Sequence, residues 1–182
     1  MCIGLKRGIV ELVPHQAEWE SIAAHTVEVL KNILGNAAVD VQHIGSTSIK
    51  LIRAKPIIDI AVAVEDFDAV LAKKTELEAK DIIFCLDERP EQLLFVMGDF
   101  AADTRTHHIH VVKFGSREWV NYLNFRDDLN SNESAAREYE SVKINLAQKY
   151  ADDRNAYVEA KCDVVQKLLA QAAEWRSRQG SK

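Results

Sequence analysis

Apolar positions along the chain change period several times, and each change predicts an element. "GIVELVPH" (8–15) alternates and ends at Pro14, which predicts a short strand. From Gln16 to Leu34 the apolar residues Trp19, Ile22, Ala23, Val27, Leu30 and Leu34 recur every three or four positions, a helix stripe stopped by Gly35-Asn36. "AVDVQHIG" alternates again and reads as a strand. "KPIIDIAVAV" opens on Pro56 and is filled with β-branched residues, the strongest strand signal present. Asp66 to Lys80 returns to a helical stripe through Phe67, Val70, Leu71 and Leu77. "DIIFCLDE" and "EQLLFVMGDF", joined through Glu88-Arg89-Pro90, predict two strands, and "THHIHVVKF" a last one that ends at Gly115-Ser116.

Beyond Arg117 the character becomes helical. Asn130 with Glu133 three residues on resembles a helix start, after which Ala135, Tyr139, Val142, Leu146 and Tyr150 mark one face. A second helix from about Asp153 carries Tyr157, Val164, Val165, Leu168, Leu169 and Trp175, and "RSRQGSK" frays. The expected architecture is α+β, one domain over 1–182, with a mixed-sheet core over 1–116 and a helical part over 117–182.

Composition narrows the functions. A chain of 182 residues suits one well-buried core. A net charge of −5 argues against general nucleic-acid binding but leaves room for a local cationic pocket. Three distant cysteines (Cys2, Cys85, Cys162) form no CxxC pair and suggest reduced thiols. No signal-length apolar core opens the chain and no run of about 18 apolar residues occurs, so no membrane span and a cytoplasmic setting are expected.

Candidate chemistry concentrates between His43 and Val64. In "GSTS", Gly45 permits a sharp bend, and Ser46, Thr47 and Ser48 can donate to phosphate oxygens; a plain strand-to-helix turn with a hydroxyl cap uses the same residues. Lys50, Arg53 and Lys55 follow within a few residues and could neutralise a phosphate. Asp59 interrupts an otherwise apolar strand. Alternation places it with Ile57, Ala61 and Ala63, and a carboxylate among small residues suggests a cleft floor, the alternative being a solvent-facing acid.

A glycine-serine bend followed fourteen positions later by an acid-bearing strand resembles the nucleotidyltransferase superfold. More narrowly, "HIGSTS", "AKPIIDI", "HHIHVV", "FRDDL" and "EY…K…LA…Y…DR…Y…K" resemble, in order, the motifs of the GrpB family of small bacterial proteins. The resemblance implies a nucleotidyltransferase-like mixed sheet with flanking helices, and a protein that binds a nucleotide or another phosphorylated small molecule. It leaves open divalent-cation-dependent nucleotidyl or phosphoryl transfer on the one hand, and a non-catalytic sensor or accessory protein on the other.

The superfold's enzymes usually carry a second acid two residues beyond the first, where this chain has Ala61, and a third on a neighbouring strand, where "HHIHVV" offers His108 and His110. Relatives commonly place proline and glycine after the serine-threonine turn; Ile49-Lys50-Leu51-Ile52 here implies a less rigid loop. Asp59 could act as general base or hold one cation, Mg or Mn rather than Zn with phosphates and water, or form a two-His, one-carboxylate set with His108 and His110. The histidines could equally contact phosphate or only pack, and that set requires their strand to lie beside Asp59. His107 falls on the other face. Arg105, Arg126, Lys143 and Lys161 are further phosphate candidates, with Tyr157 as a base-stacking ring. Their plain alternatives are Arg126 paired with a neighbouring acid and two solvated helix lysines.

Overall fold

The computed structural model describes residues 3–85 and 91–179. Its elements run β1 (Leu5–Lys6), α1 (Glu18–Leu34), β2 (Asp40–Ile44), β3 (Ile58–Val64), α2 (Phe67–Leu71), α3 (Lys74–Glu78), β4 (Ile83–Cys85), β5 (Gln92–Met97), β6 (Thr104–Arg105), β7 (His107–Lys113), α4 (Arg117–Ser131), α5 (Glu133–Lys149), α6 (Arg154–Ala160) and α7 (Cys162–Gln179). Five strands form a mixed sheet in the order β2-β3-β7-β5-β4, in which only β3 and β7 run parallel. The expected α+β fold with its helical C-terminal part is therefore present. The connection at Glu88-Arg89-Pro90, Cys2 and the chain's last three residues lie outside the described residues.

β3 occupies the sheet interior, and every one of its residues except Asp59 is buried. Ile58, Ile60, Val62 and Val64 face the main core against Trp19, Ala23, Leu30 and Leu34 of α1. The opposite face is also covered. Ala61 and Ala63 pack with Ile44 and Val112 beneath Trp119 of α4. The space that two alanines suggested above β3 is thus filled by a helix, and a strand covered on both faces reads as a nearly continuous apolar run. Only the Asp59 end stays open.

Several sequence expectations shift. "GIVELVPH" is no strand: Val13 makes one bridge to Ala54, while the Val10 amide donates to the carbonyl of Ala151 and the Arg154 amide to that of Gly8. This stretch is pinned to the α5–α6 connection instead of a sheet edge. The Asp66–Lys80 helix divides because Lys73 leaves helical geometry (φ −93°, ψ 6°). The second C-terminal helix likewise divides at Lys161. Helix α4 lies in a stretch given no element by periodicity. Its buried residues include Asn124 and Asp128 beside Trp119 and Leu129, which breaks the apolar stripe, and its start is the Ser116 side chain accepting from the Trp119 amide.

The loop expected to be less rigid is anchored. Ile49 and Ile52 are fully buried against Leu129, Ala136, Tyr139 and Leu168. Burial of each contributes roughly 1.5–3 kcal/mol, which replaces the stiffness of a proline. Asn130 adds a clamp, accepting from the Lys50 amide and donating to the Ser48 carbonyl.

Candidate functional site

A cavity of about 190 Å³ lies where the open end of β3 meets the helical part, lined among others by Ser46, Lys55, Asp59, His108, His110, Lys143, Arg154, Tyr157 and Lys161. Its floor follows from strand register. β7 runs parallel to β3 with His108 opposite Asp59 and His110 opposite Ala61, so alternation points Asp59 and both imidazoles to one face. His108 Nδ1 donates to Asp59 Oδ1 at 3.2 Å, and His110 Nε2 stands 3.8 Å from the same oxygen. Asp59 keeps 28% of its side chain exposed. Burial works to raise its carboxyl, but the hydrogen bonds and charge of His108 and His110 outweigh that and hold it well below the usual carboxylate range.

The bend "GSTS" is set against this acid. Gly45 has φ +71°, and a Cβ there would lie 2.4 Å from Asp59 Oδ2 and 2.8 Å from its Cβ. Glycine is required twice over, by conformation and by contact. The three hydroxyls then part company. Thr47 is buried and shares a hydrogen bond with His43 Nε2 at 2.9 Å, Ser48 donates to the Gly45 carbonyl at 2.7 Å, and only Ser46 lines the cavity, 3.4 Å from the Tyr139 hydroxyl. Ser46–Ser48 form a single 3₁₀ turn in which no side chain caps the start.

The upper wall comes from the helices. Tyr139 and Lys143 stand four residues apart on α5, while Arg154 and Tyr157 on α6 and Lys161 at its end follow at steps of three and four; both spacings align side chains on one helix face. Lys143 is 1% exposed, not the solvated lysine considered above; its Nζ donates to the Arg53 carbonyl at 2.6 Å and sits 4.5 Å above the Tyr139 ring. Lys161 Nζ lies 6.0 Å from the Tyr139 ring centre and 5.5 Å from that of Tyr157, and Lys55 Nζ lies 5.7 Å from Tyr157. Such ring-face contacts ease burial of cations without neutralising them.

Electrostatics record the crowding. Burial, followed by the charges of Lys161 and Arg154, lowers Lys55 to about 8. Burial and Lys161 lower Lys143 well below the ordinary lysine value, whereas Tyr139 raises Lys161. Burial pushes the Tyr157 phenol up to about 12, so it stays a neutral donor. Among the described residues, none of Lys55, Lys143, Arg154 and Lys161 forms an ion pair.

Other candidates lie elsewhere. Arg105 donates to the Thr104 carbonyl and stacks 4.6 Å over Phe100, away from the cavity. Arg126 pairs with Asp127 at 2.8 Å and donates to Gln42 and the His43 carbonyl, which ties α4 to β2. His107 faces α1, within 3.2 Å of the Thr26 hydroxyl. Sequence reasoning missed Arg154, Leu12 and Val158 in the lining and Tyr139 beside Ser46; the Tyr and Arg positions in "EY…K…LA…Y…DR…Y…K" were the signal for Tyr139 and Arg154. Among the described residues no three His, Cys, Asp or Glu side chains are grouped to hold a metal ion; Asp59 is in contact with His108 and His110.

The mixed sheet, with a glycine-serine bend set against an acid on the adjoining strand, has a nucleotidyltransferase-like fold. Solved structures agree at the level of fold: Cid1 poly(U) polymerase with the UTP analogue UMPNPP superposes with a TM-score of 0.51 at 13% identity, covering 81% of this chain and 48% of that one. More specifically, the chain belongs to the GrpB protein family, whose pattern matches residues 9–171. The glutamate-rich protein GrpB of Alkalihalophilus pseudofirmus is 35% identical over 92% of this chain and 98% of its own length. The crystal structure of the conserved protein GrpB from Enterococcus faecalis gives a TM-score of 0.84 at 29% identity, covering 91% and 99% of the two chains. A dephospho-CoA kinase of Mycolicibacterium paratuberculosis is 27% identical across 98% of this chain, which spans 49% of that protein.

Proposed function

We propose that this protein binds a phosphorylated small molecule, a nucleotide among the possible forms, with its phosphoryl oxygens among Lys55, Lys143, Arg154, Lys161 and Ser46. One observation carries the reading: among the described residues, four cations line a small cavity and none forms an ion pair, while the one acid of that lining, Asp59, is engaged by two imidazoles. Like charges gathered in one partly desolvated cavity repel, so a multiply charged anion converts a costly arrangement into a favourable one. Arginine and lysine donors with a hydroxyl are the ordinary means of holding phosphate. The name of the mycobacterial relative, a kinase of dephospho-CoA, agrees with a phosphorylated ligand.

The donor set favours binding without a resident metal. Ala61 stands where a second acid would be and is sealed under Trp119, and the cations around Asp59 oppose a dication. The reading is therefore a phosphate-ligand sensor or accessory protein.

Thermal melting against inorganic phosphate, sugar phosphates and nucleotides, with and without Mg²⁺ or Mn²⁺, tests this. At least one phosphorylated compound should raise the melting temperature without added metal; at 100 times its Kd the stabilisation is about 2.7 kcal/mol, a shift of several degrees. Ser46→Ala combined with Lys55→Ala should remove it. Silence across the panel overturns the proposal, and a shift or turnover that requires both a divalent ion and Asp59 replaces it with the transferase reading.

A further inference from the structure

The four cations of the cavity are not equivalent. Lys143 has given its Nζ to the Arg53 carbonyl, Lys161 is held over two tyrosine rings and its charge is favoured by Tyr139, and Arg154 is a planar fork of donors rather than an amine. Lys55 differs from all three. Among the described residues its Nζ has neither a hydrogen-bond acceptor nor an ion-pair partner, only the Tyr157 face. Its backbone is fixed on both sides, because Ala54 exchanges two hydrogen bonds with Val13, the Ile57 amide donates to the Lys55 carbonyl and the Gly4 amide to that of Pro56. The backbone that carries the amine into the cavity is thus braced, and among the described residues no hydrogen-bond donor stands ready to occupy the amine's lone pair once a proton is lost.

We propose that Lys55 is a nucleophilic amine that forms an imine with a phosphorylated aldehyde or ketone seated in this cavity. The inference rests on the phosphate-binding reading and narrows it: in a ligand that carries both groups, Lys143, Arg154, Lys161 and Ser46 hold the phosphate, while Lys55, which a simple phosphate also meets, faces the carbonyl carbon. In the step, the Nζ lone pair attacks the carbonyl carbon and the C–O π pair moves to oxygen. The two amine protons pass to that oxygen, which leaves as water while the C=N bond forms, so no oxidant or reductant is consumed. Crowding by neighbouring cations in a partly desolvated site is a known way to free a lysine for such chemistry. With Lys55 brought to about 8, the neutral fraction at pH 7 is on the order of a hundredfold above that of an ordinary lysine. A cavity of about 190 Å³ suits a small phosphorylated carbonyl compound better than a complete nucleotide.

The test uses the whole protein with pyridoxal 5′-phosphate as the probe, borohydride to trap the imine, and intact-mass and peptide mapping to place it. One equivalent should be trapped on Lys55, at least about tenfold faster than with pyridoxal lacking the phosphate, and excess inorganic phosphate should suppress it. Lys55→Arg keeps the charge but has no amine able to form an imine, so it should lose the adduct. Trapping spread over exposed lysines, trapping on Lys143 or Lys161, or no adduct in a protein whose melting still responds to phosphate each overturns the imine proposal alone. Loss of the phosphate response itself overturns the binding reading, and the two failures are read on separate instruments.

Discussion

The floor and the upper wall of the cavity handle charge in opposite ways. On the floor, Asp59 meets His108 at 3.2 Å and His110 at 3.8 Å on paired strands, and its charge is satisfied within the protein. On the wall, Lys143, Arg154 and Lys161, joined by Lys55 from the segment before β3, meet tyrosine faces, a carbonyl and one another. An acid engaged by imidazoles beside cations that, among the described residues, form no ion pair is the contrast on which the proposed anion binding rests.

The contrast is most sharply broken at the floor. Gly45→Ala forces a side chain into Asp59 at a left-handed backbone position and should cost on the order of 3 kcal/mol in urea denaturation, with the cavity lost. A variant as stable as the parent would show that bend and acid are not in contact. On the wall the sign reverses. Lys55→Met should stabilise the ligand-free protein by about 1 kcal/mol at pH 7, since it removes a poorly solvated charge. Folding lowers the Lys55 pKa, so its protonated form opposes folding below about 8, and the penalty fades as pH rises toward ~10.4, where the unfolded chain also loses the proton. The gain from Lys55→Met should therefore shrink across that interval, and a gain that is constant with pH would refute the charge argument.

A smaller effect marks the far face of β7. His107→Gln disturbs hydrogen bonding with the Thr26 and Thr106 hydroxyls and should cost about 1 kcal/mol while the phosphate-induced melting shift stays intact. A lost shift would mean that the two faces of the strand are coupled. Alternation had already assigned His107 to the face away from His108 and His110, and the structure agrees.

The strongest strand and helix signals lie where burial is one-sided or complete: α1, β3 and β7 carry apolar patterns dense enough to declare themselves, and Gly45 and Asp59 stand out against them. Helix α4 stayed hidden because Asn124 and Asp128 occupy buried positions that a hydrophobicity pattern counts as surface. The apparent space above Ala61 and Ala63 was misleading for the same reason, since Trp119 of that helix covers it. Lysines on α5 and at the end of α6 gave no sign of burial, because residue type argues for solvent and only docking onto the sheet argues otherwise.

What the sequence determined alone was local: the periods of the main elements, the bend that only glycine permits, and an acid in an apolar strand. Family membership followed from ordered motifs spread along the chain. Tertiary structure decided which of many polar residues share a volume. It placed His108 beside Asp59 by parallel register, buried Thr47, tied Ser48 to the Gly45 carbonyl, sent Arg105 and Arg126 elsewhere and brought Arg154 in. The physical reason is range. Propensity and periodicity act over a few residues, whereas the unbalanced charge that defines this cavity exists only once residues about a hundred positions apart, Lys55 and Lys161 among them, are packed together.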